Sequence, residues 1–446
     1  MIGKSTLGAA LQAFQSEVHA QVKELVTPGL LFALDRNEIA YPLDFIRAMG
    51  ALGLLGVNVR AESGGRGLSV LHDALISEEV GYWGTAAMAC ARTFTAHVGH
   101  VLDRYGSPAI HERYLRPMLA GTKIACQGMT EPTVGSNVAG ARTVLRRASS
   151  GYVLTGQKRF IDGAQTADFI LAAARLGQSE DARADFVAVC VDTSDPGFLI
   201  RDVQCDWHGF RGMGSSWIEF RDVPVAPEQI VGSPGQGWQI LMDELLVERV
   251  VMARAQLGGA RRALAIAANY AEHREAFGSK LQQQAVIAFK VAECAAKLDA
   301  AYLLNDRAAG LLDRGLGRGA SMEVAMAKLL GTEYAWEVAD ESIQILGGMG
   351  YTTKYPVERI QRDLRAARLT GGTSEMMKLL IQRGAFRSLH DPDFRDEFVS
   401  NELAGSPVWG EVLAADEAFH PSRQTVLMPP RPKYVPSDAK TRDPRR

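Results

Sequence analysis

Residues Gly237 to Tyr270 read GWQILMDELLVERVVMARAQLGGARRALAIAANY, without a proline, and the rest of the chain is organised around them. Apolar residues recur there at three- and four-residue spacing, which predicts one long helix. A helical residue turns about 100° from its neighbour, so Leu241, Leu245, Val251, Met252 and Ala255 share one stripe. Glu248 falls on that stripe, three after Leu245 and four before Met252. Burying a carboxylate is costly unless it is paired, and burial pushes its pKa up. A raised pKa is what a general base working near neutral pH requires. A salt bridge or a rim position would account for the same pattern, and the helix alone does not choose between them.

The 446 residues allow two to four domains with substantial cores. Lys and Arg total 49 against 51 Asp and Glu, a net charge of -2. That balance gives no electrostatic case for nucleic acid or an anionic membrane. With 47% hydrophobic and 22% charged residues, the composition is that of a soluble globular protein. Cys90, Cys126, Cys190, Cys205 and Cys294 are scattered and lack ligand spacing, so neither a disulfide framework nor a zinc site is expected, and a reducing cytoplasm fits. No uncharged apolar run approaches the roughly 18–20 residues that span a bilayer, so no membrane insertion is expected. MIGKSTLGAALQAFQSEVHAQ has no long apolar core followed by a cleavage site and reads as part of a mature helix.

Outward from the long helix the expected class is α+β. Residues 1–121 carry helical patches punctuated by Gly64-Gly65 and Gly106-Ser107-Pro108, and Ser107 followed by Pro108 predicts a cap and first turn. From 122 to 232 the chain turns to short alternating runs. TVLRRASSGYVLTGQKRFI reads as two strands around Ser149-Ser150-Gly151, DFILAAARL and DFVAVCVD as buried strands, and GQSEDARAD as an exposed loop. From 233 to 390 long helical patterns with short connections predict an antiparallel bundle. Residues 391–446 end proline-rich, basic and without periodicity, which predicts a disordered or subunit-wrapping extension.

Four glycine- or hydroxyl-rich segments lie at the joints: Met129 to Ser136 (MTEPTVGS), Arg159 to Gly163 (RFIDG), Ile345 to Tyr351 (ILGGMGY) and Thr370 to Glu375 (TGGTSE). Glycine permits close backbone approach and amides bind phosphates, so together they are candidates for cradling a large polar ligand. In this order and spacing, TEPTVGSN, YAEHREAFG, QILGGMGY with the following Arg362-Asp363, and GGTSE resemble the acyl-CoA dehydrogenase family of flavoproteins over residues 5–389. The resemblance implies an N-terminal helical domain, a middle β domain and a C-terminal helical bundle, with FAD between the last two. Thr130 matches the residue whose hydroxyl bonds the flavin pyrimidine ring, with the backbone at Gln127 and Met129 beside it. Ser136 matches a serine touching pyrophosphate or the pantetheine side of the substrate. Phe160 takes the place of a shielding Trp. Asp162 stands where the family has Thr or Ser near flavin N5, which puts that contact in doubt. Arg274 and Phe277 match residues that reach the FAD of a neighbouring subunit, and Gln344, Gly347 and Gly348 match the adenosine segment across a subunit interface. Thr373 and Glu375 match residues near the pyrophosphate and adenine ribose.

Many members carry the catalytic Glu directly before the Gly-Thr of the last motif, where this chain has Gly371. Isovaleryl- and long-chain-type members place it in a Glu-Arg pair on the first long C-terminal helix, and Glu248-Arg249 matches that pair. The resemblance therefore makes Glu248 the expected base, with Arg249, Thr370, Gly371 and Ser136 on the substrate side. Glycine at 371 is expected to open space beside the reacting carbons. His97 and His100 are expected to be surface or capping residues, and no metal site is expected. The expected reaction is α,β-dehydrogenation of an acyl-CoA or acyl-carrier-protein thioester to the 2,3-enoyl product, electrons passing to an electron-transfer flavoprotein, in a dimer-of-dimers homo-oligomer. A flavin monooxygenase or oxidase on the same fold, or a non-catalytic partner subunit, is the alternative.

Overall fold

The computed structural model describes residues 7–179, 181, 183–203 and 206–389. Five helices open the chain, α1 (Ala9–Leu25), α2 (Pro28–Asp35), α3 (Leu43–Ala51), α4 (Val70–Trp83) and α5 (Ala86–Tyr105), followed by α6 (Pro108–Ile110), a π-helical turn (His111–Leu115) and α7 (Arg116–Leu119). Their starts follow local chemistry. Thr27, Ser69, Thr85 and Ser107 each accept the backbone N–H three residues on, which satisfies a donor that the first helical turn would leave unpaired.

Eight strands make one sheet: β1 (Ala125–Gly128), β2 (Val144–Ala148), β3 (Gly151–Ile161), β4 (Phe169–Arg175), β5 (Phe186–Asp192), β6 (Phe198–Val203), β7 (Ser216–Val225) and β8 (Ile230–Val231). The order is β6-β7-β3-β2-β4-β5-β8, with β1 parallel to β4. The hairpin expected around Ser149-Ser150-Gly151 is β2–β3, in register from Val144 opposite Thr155 to Ala148 opposite Gly151. A register shift between Lys158 and Ile161 against β7 interrupts the ladder, and Phe160 sits there at a left-handed φ of 60°. Such bulges re-aim side chains, and this one turns the Phe160 ring outward.

The predicted long helix is α8 (Gly237–His273), three residues longer than its sequence pattern. A small hairpin, β9 (Glu275–Ala276) and β10 (Ser279–Lys280), precedes α9 (Ala285–Asp313), α10 (Ser321–Leu346), α11 (Val357–Ala367) and α12 (Ser374–Ser388). The α11 helix was not foreseen from sequence. Its polar stretch VERIQRDLRAA was legible only through the Arg362-Asp363 motif.

α8 packs against α4, α5, α9, α10 and α11. It meets α4 almost backbone to backbone, since a Cβ on Gly81 would overlap the Ala255 carbonyl and one on Gly258 would overlap that of Glu78. A buried ion network fixes the crossing. Arg254 on α8 donates to Glu78 on α4 at 2.7 Å and pairs with Asp306 on α9 at 2.5 Å, while Arg261 reaches Glu78 at 3.0 Å and Glu79 at 3.2 Å. Taking these charges out of water is costly, so their mutual pairing is what makes burial tolerable, and it fixes the register of α8.

Cys90, Cys126, Cys190 and Cys294 are buried free thiols. Among the described residues no helix is long and apolar enough to cross a membrane. Cys205, and the extension expected over 391–446, lie outside the described residues.

Candidate active site

Glu248 lies on the buried face of α8, 2% exposed, and its Oε2 has no hydrogen-bond partner. Among the described residues it forms no ion pair within 4.0 Å, so the salt-bridge reading of the stripe is set aside. Its sequence neighbour Arg249 donates from Nε to the Gly371 carbonyl at 2.9 Å. Lys328 on α10 donates to the Gly372 carbonyl at 2.7 Å. Two buried cations thus pin the loop that precedes α12. Burial raises the Glu248 pKa, and the nearby charges of Arg249 and Lys328 limit the rise. Burial also pushes Lys328 down to about 8.

Gly371 has φ +63°, and a Cβ there would stand 3.1 Å from Glu248 Oε1 and 2.7 Å from Met252 Cε. A side chain at position 371 would therefore start against the Glu248 carboxylate. The expectation that glycine opens room beside the substrate is corrected at this position. The Met252 methyl and the Glu248 carboxylate already fill the volume a side chain would need. Thr370 donates to the Met252 sulfur at 3.3 Å and closes the same corner.

The sequence reading missed two further groups at this point. Glu244, one helical turn before Glu248, is 2% exposed, and His97 on α5 is fully buried. Ligand atoms of His97, Glu244 and Glu248 all lie within 4.8 Å of one another. His97 and His100 are thus core residues, which corrects their expected placement at the surface or at caps: α5 is buried almost all round. Burial lowers both imidazoles to about 3, so they are neutral. Burial and the facing Glu248 push Glu244 well above the carboxylate range. Like charges this close cannot both ionise cheaply, so the pair holds one proton between them and keeps one carboxylate able to accept another.

Two residues of the β-domain motifs lie near α8, Gln127 beside Glu244 and Asp162 within electrostatic reach of Glu248. Gln127 on β1 is half-buried and neighbours Glu244. The loop carrying Thr130 is tied to β3, Arg159 N donating to the Thr130 carbonyl at 2.9 Å. Beneath it Lys158, fully buried, donates to the Met129 carbonyl at 3.1 Å and to Glu131 at 3.0 Å, and Glu131 also accepts from the amides of Arg142 and Thr143. Ser136 is exposed. The Phe160 ring, 46% exposed, meets Trp207 edge-on at 5.7 Å, with the Arg159 guanidinium 5.1 Å from its centre and Arg159 Nε buried without a partner. Asp162 accepts from Ser215 Oγ, and burial raises its pKa to about 7, so it is not the fully ionised group its type implied.

A second group of predicted residues lies at the far end of α8. Arg274, Gly347 and Gly348 line one pocket of about 410 Å³ with Tyr270, Leu281 and Met349. A Cβ on either glycine would meet nothing within 4 Å, so a flat ligand could lie against the backbone. Phe277 is 97% exposed at φ +53°, and Gln344 is exposed. Thr373 accepts from the Met376 amide at 3.3 Å at the start of α12, with Glu375 exposed in the first turn. Helix N-termini of this kind favour anions. The donor set suits FAD: an aromatic cover at Phe160, an unpartnered guanidinium nitrogen, a hydroxyl-bearing loop at Thr130, and a glycine platform beside Arg274.

Helices, a central sheet and a helical bundle, with a buried carboxylate beside a flavin-type cradle, define an oxidoreductase that works on a C–C bond. Family models described as the acyl-CoA dehydrogenase N-terminal, middle and C-terminal domains match residues 9–122, 126–223 and 235–386. The chain belongs to the acyl-CoA dehydrogenase family. It is a flavin oxidoreductase acting on CH–CH donors, and the family's cofactor is FAD. Short-chain specific acyl-CoA dehydrogenase of Homo sapiens is 36% identical over 359 residues, 79% of this chain and 84% of that protein. Isobutyryl-CoA dehydrogenase of Dictyostelium discoideum is 31% identical over 356 residues, 80% and 84% of the two chains. The butyryl-CoA dehydrogenase structure from Megasphaera elsdenii superimposes with a TM-score of 0.81 at 29% identity, covering 86% of this chain and 99% of that one.

Proposed function

We propose that the chain dehydrogenates an acyl thioester, on CoA or a carrier protein, to its 2,3-enoyl product, with Glu248 as the base. One observation supports this reading: a buried carboxylate with a free oxygen and a raised pKa stands 3.1 Å from where a Cβ at position 371 would lie. Glu248 takes the α-proton at Oε2, the oxygen left without a partner. Arg249 and Lys328 hold the Gly371 and Gly372 carbonyls, which fixes the loop beside the carboxylate. The loop under Thr130, braced by Lys158, and the Phe160 ring orient and cover the cofactor. FAD, when bound, supplies the hydride acceptor for the β-hydrogen. Electrons then leave to an electron-transfer flavoprotein.

The reading includes a homo-oligomer, a dimer of dimers. Tyr270 lies 22 residues beyond Glu248 on one helix, about 33 Å at 1.5 Å per residue. A single extended dinucleotide does not bridge that gap, so the Arg274 and Gly347-Gly348 pocket serves the cofactor of another copy. Substrates presented anaerobically to the flavoprotein test the reaction. Bleaching of the flavin band with formation of an enoyl thioester is the expected result. Bleaching by no acyl-CoA or acyl-carrier thioester sinks it. Rapid oxygen consumption without enoyl product would instead favour an oxidase, a reading kept open by Asp162.

A further inference from the structure

The cluster of His97, Glu244 and Glu248 holds more polarity than proton abstraction uses. Neither ring nitrogen of the fully buried His97 has a partner, and the Glu244 oxygens and Glu248 Oε2 are without a fixed donor. A proton shared between the two carboxylates satisfies one of these atoms at most. Gln127 is the remaining polar neighbour of Glu244. The nearest cations are already engaged, Arg249 with the Gly371 carbonyl and Lys328 with the Gly372 carbonyl. Against the four carboxylate oxygens and the bare ring nitrogen of neutral His97, the donors are one imidazole N–H, the shared proton and the Gln127 amide, so acceptor sites remain in excess. Buried acceptors left unmatched are costly, and a plain alkyl chain packed here would leave them so.

This inference rests on Glu248 being the base. A thioester that presents its α-carbon to Glu248 has Glu244 and His97, with polar atoms within 4.8 Å of that carboxylate, as polar neighbours of its acyl group. We propose that the acyl group carries a hydrogen-bond donor, a hydroxyl or an amine, within two or three bonds of the reacting carbons, and that Glu244 and His97 receive it. An aliphatic acyl chain is then the poorer ligand. Sites built to hydrogen-bond a substrate hydroxyl or N–H reject the analogue lacking it far more strongly than an apolar pocket rejects a missing methylene.

Product-type pantetheine thioesters give stable, matched probes: the trans-but-2-enoyl, trans-4-hydroxybut-2-enoyl and trans-4-aminobut-2-enoyl forms. Calorimetric titration of the FAD-loaded protein is expected to give at least about tenfold tighter binding of a hydroxyl or amino probe than of the plain enoyl. Glu244→Leu and His97→Leu are expected to erase that ratio. Glu244→Gln, which keeps shape and hydrogen bonding, is expected to retain the hydroxyl preference and lose the amine's. A plain enoyl that binds as tightly as both substituted probes overturns the inference, as does a ratio untouched in all three variants. Flavin reduction by saturated butyryl-pantetheine separates the two readings. If it proceeds while the binding ratio is one, only the polar-substituent inference fails. If no thioester binds or bleaches the flavin, the dehydrogenase reading fails and takes this inference with it.

Discussion

A Cβ on Gly371 would stand 3.1 Å from Oε1 of Glu248, although 123 positions of chain separate the two residues. On the proposed reading, α8 supplies the carboxylate that the last motif lacks. Arg249 strengthens the arrangement by bonding the Gly371 carbonyl from the neighbouring position on the helix.

Glu248→Gln is expected to keep FAD bound and to slow flavin reduction by about 10²–10⁴-fold, the usual contribution of a positioned base. Anaerobic stopped-flow absorbance measures it, and reduction at the wild-type rate would remove Glu248 from the mechanism. In the wild type, reduction should slow as pH falls through the raised pKa of Glu248, because the protonated carboxyl cannot accept the α-proton.

Moving the base tests the convergence directly. Glu248→Gly combined with Gly371→Glu should recover flavin reduction by about tenfold or more over Glu248→Gly alone, within the range a base contributes. Recovery should stay partial, since residue 371 has φ +63° and a non-glycine residue there is strained. Adding Met252→Ala, which removes the methyl 2.7 Å from the new Cβ, should improve it. Rates no better than the single variant would show that the two positions do not address the same carbon.

Asp162 links pH to stability. Its pKa rises from 3.8 to about 7 on folding, so between those values the folded state binds more protons than the unfolded state. Its contribution to stability is complete below pH 3.8 and is lost as pH rises through about 7. Asp162→Asn should therefore raise the melting temperature more at pH 8 than at pH 5, while its amide oxygen still accepts from Ser215. Equal shifts at both values would contradict the buried, proton-holding carboxyl.

Lys158→Met should be costly. It leaves Glu131 buried with backbone donors alone and frees the Met129 carbonyl, and breaking a buried pair costs about 3–5 kcal/mol. Chemical denaturation should show the loss, and the purified variant should carry less flavin because the Thr130 loop loses its brace. Full FAD content with unchanged stability would show that this pair does not hold the loop.

Helix, hairpin and loop positions were written locally in this sequence. The proline-free stripe of α8, the strands flanking Ser149-Ser150-Gly151 and the caps at Thr27 and Ser107 depend on residues within a few positions, which periodicity and side-chain chemistry report. Gly371 and Glu248 could be linked only through the family resemblance, as a missing and a compensating carboxylate. Glu244 was legible too, one turn before Glu248 on the same stripe, and was overlooked. What only the tertiary structure decided is the proximity of His97 to Glu244 and Glu248, the neutral state of that imidazole, and the filling of the Gly371 corner by Met252. Those depend on how α5 and α8 lie against each other, set by glycine contacts and buried ion pairs between α4, α8 and α9. Burial and proximity between residues far apart in the chain leave no period in the sequence, yet they raise the proton affinity of both carboxylates.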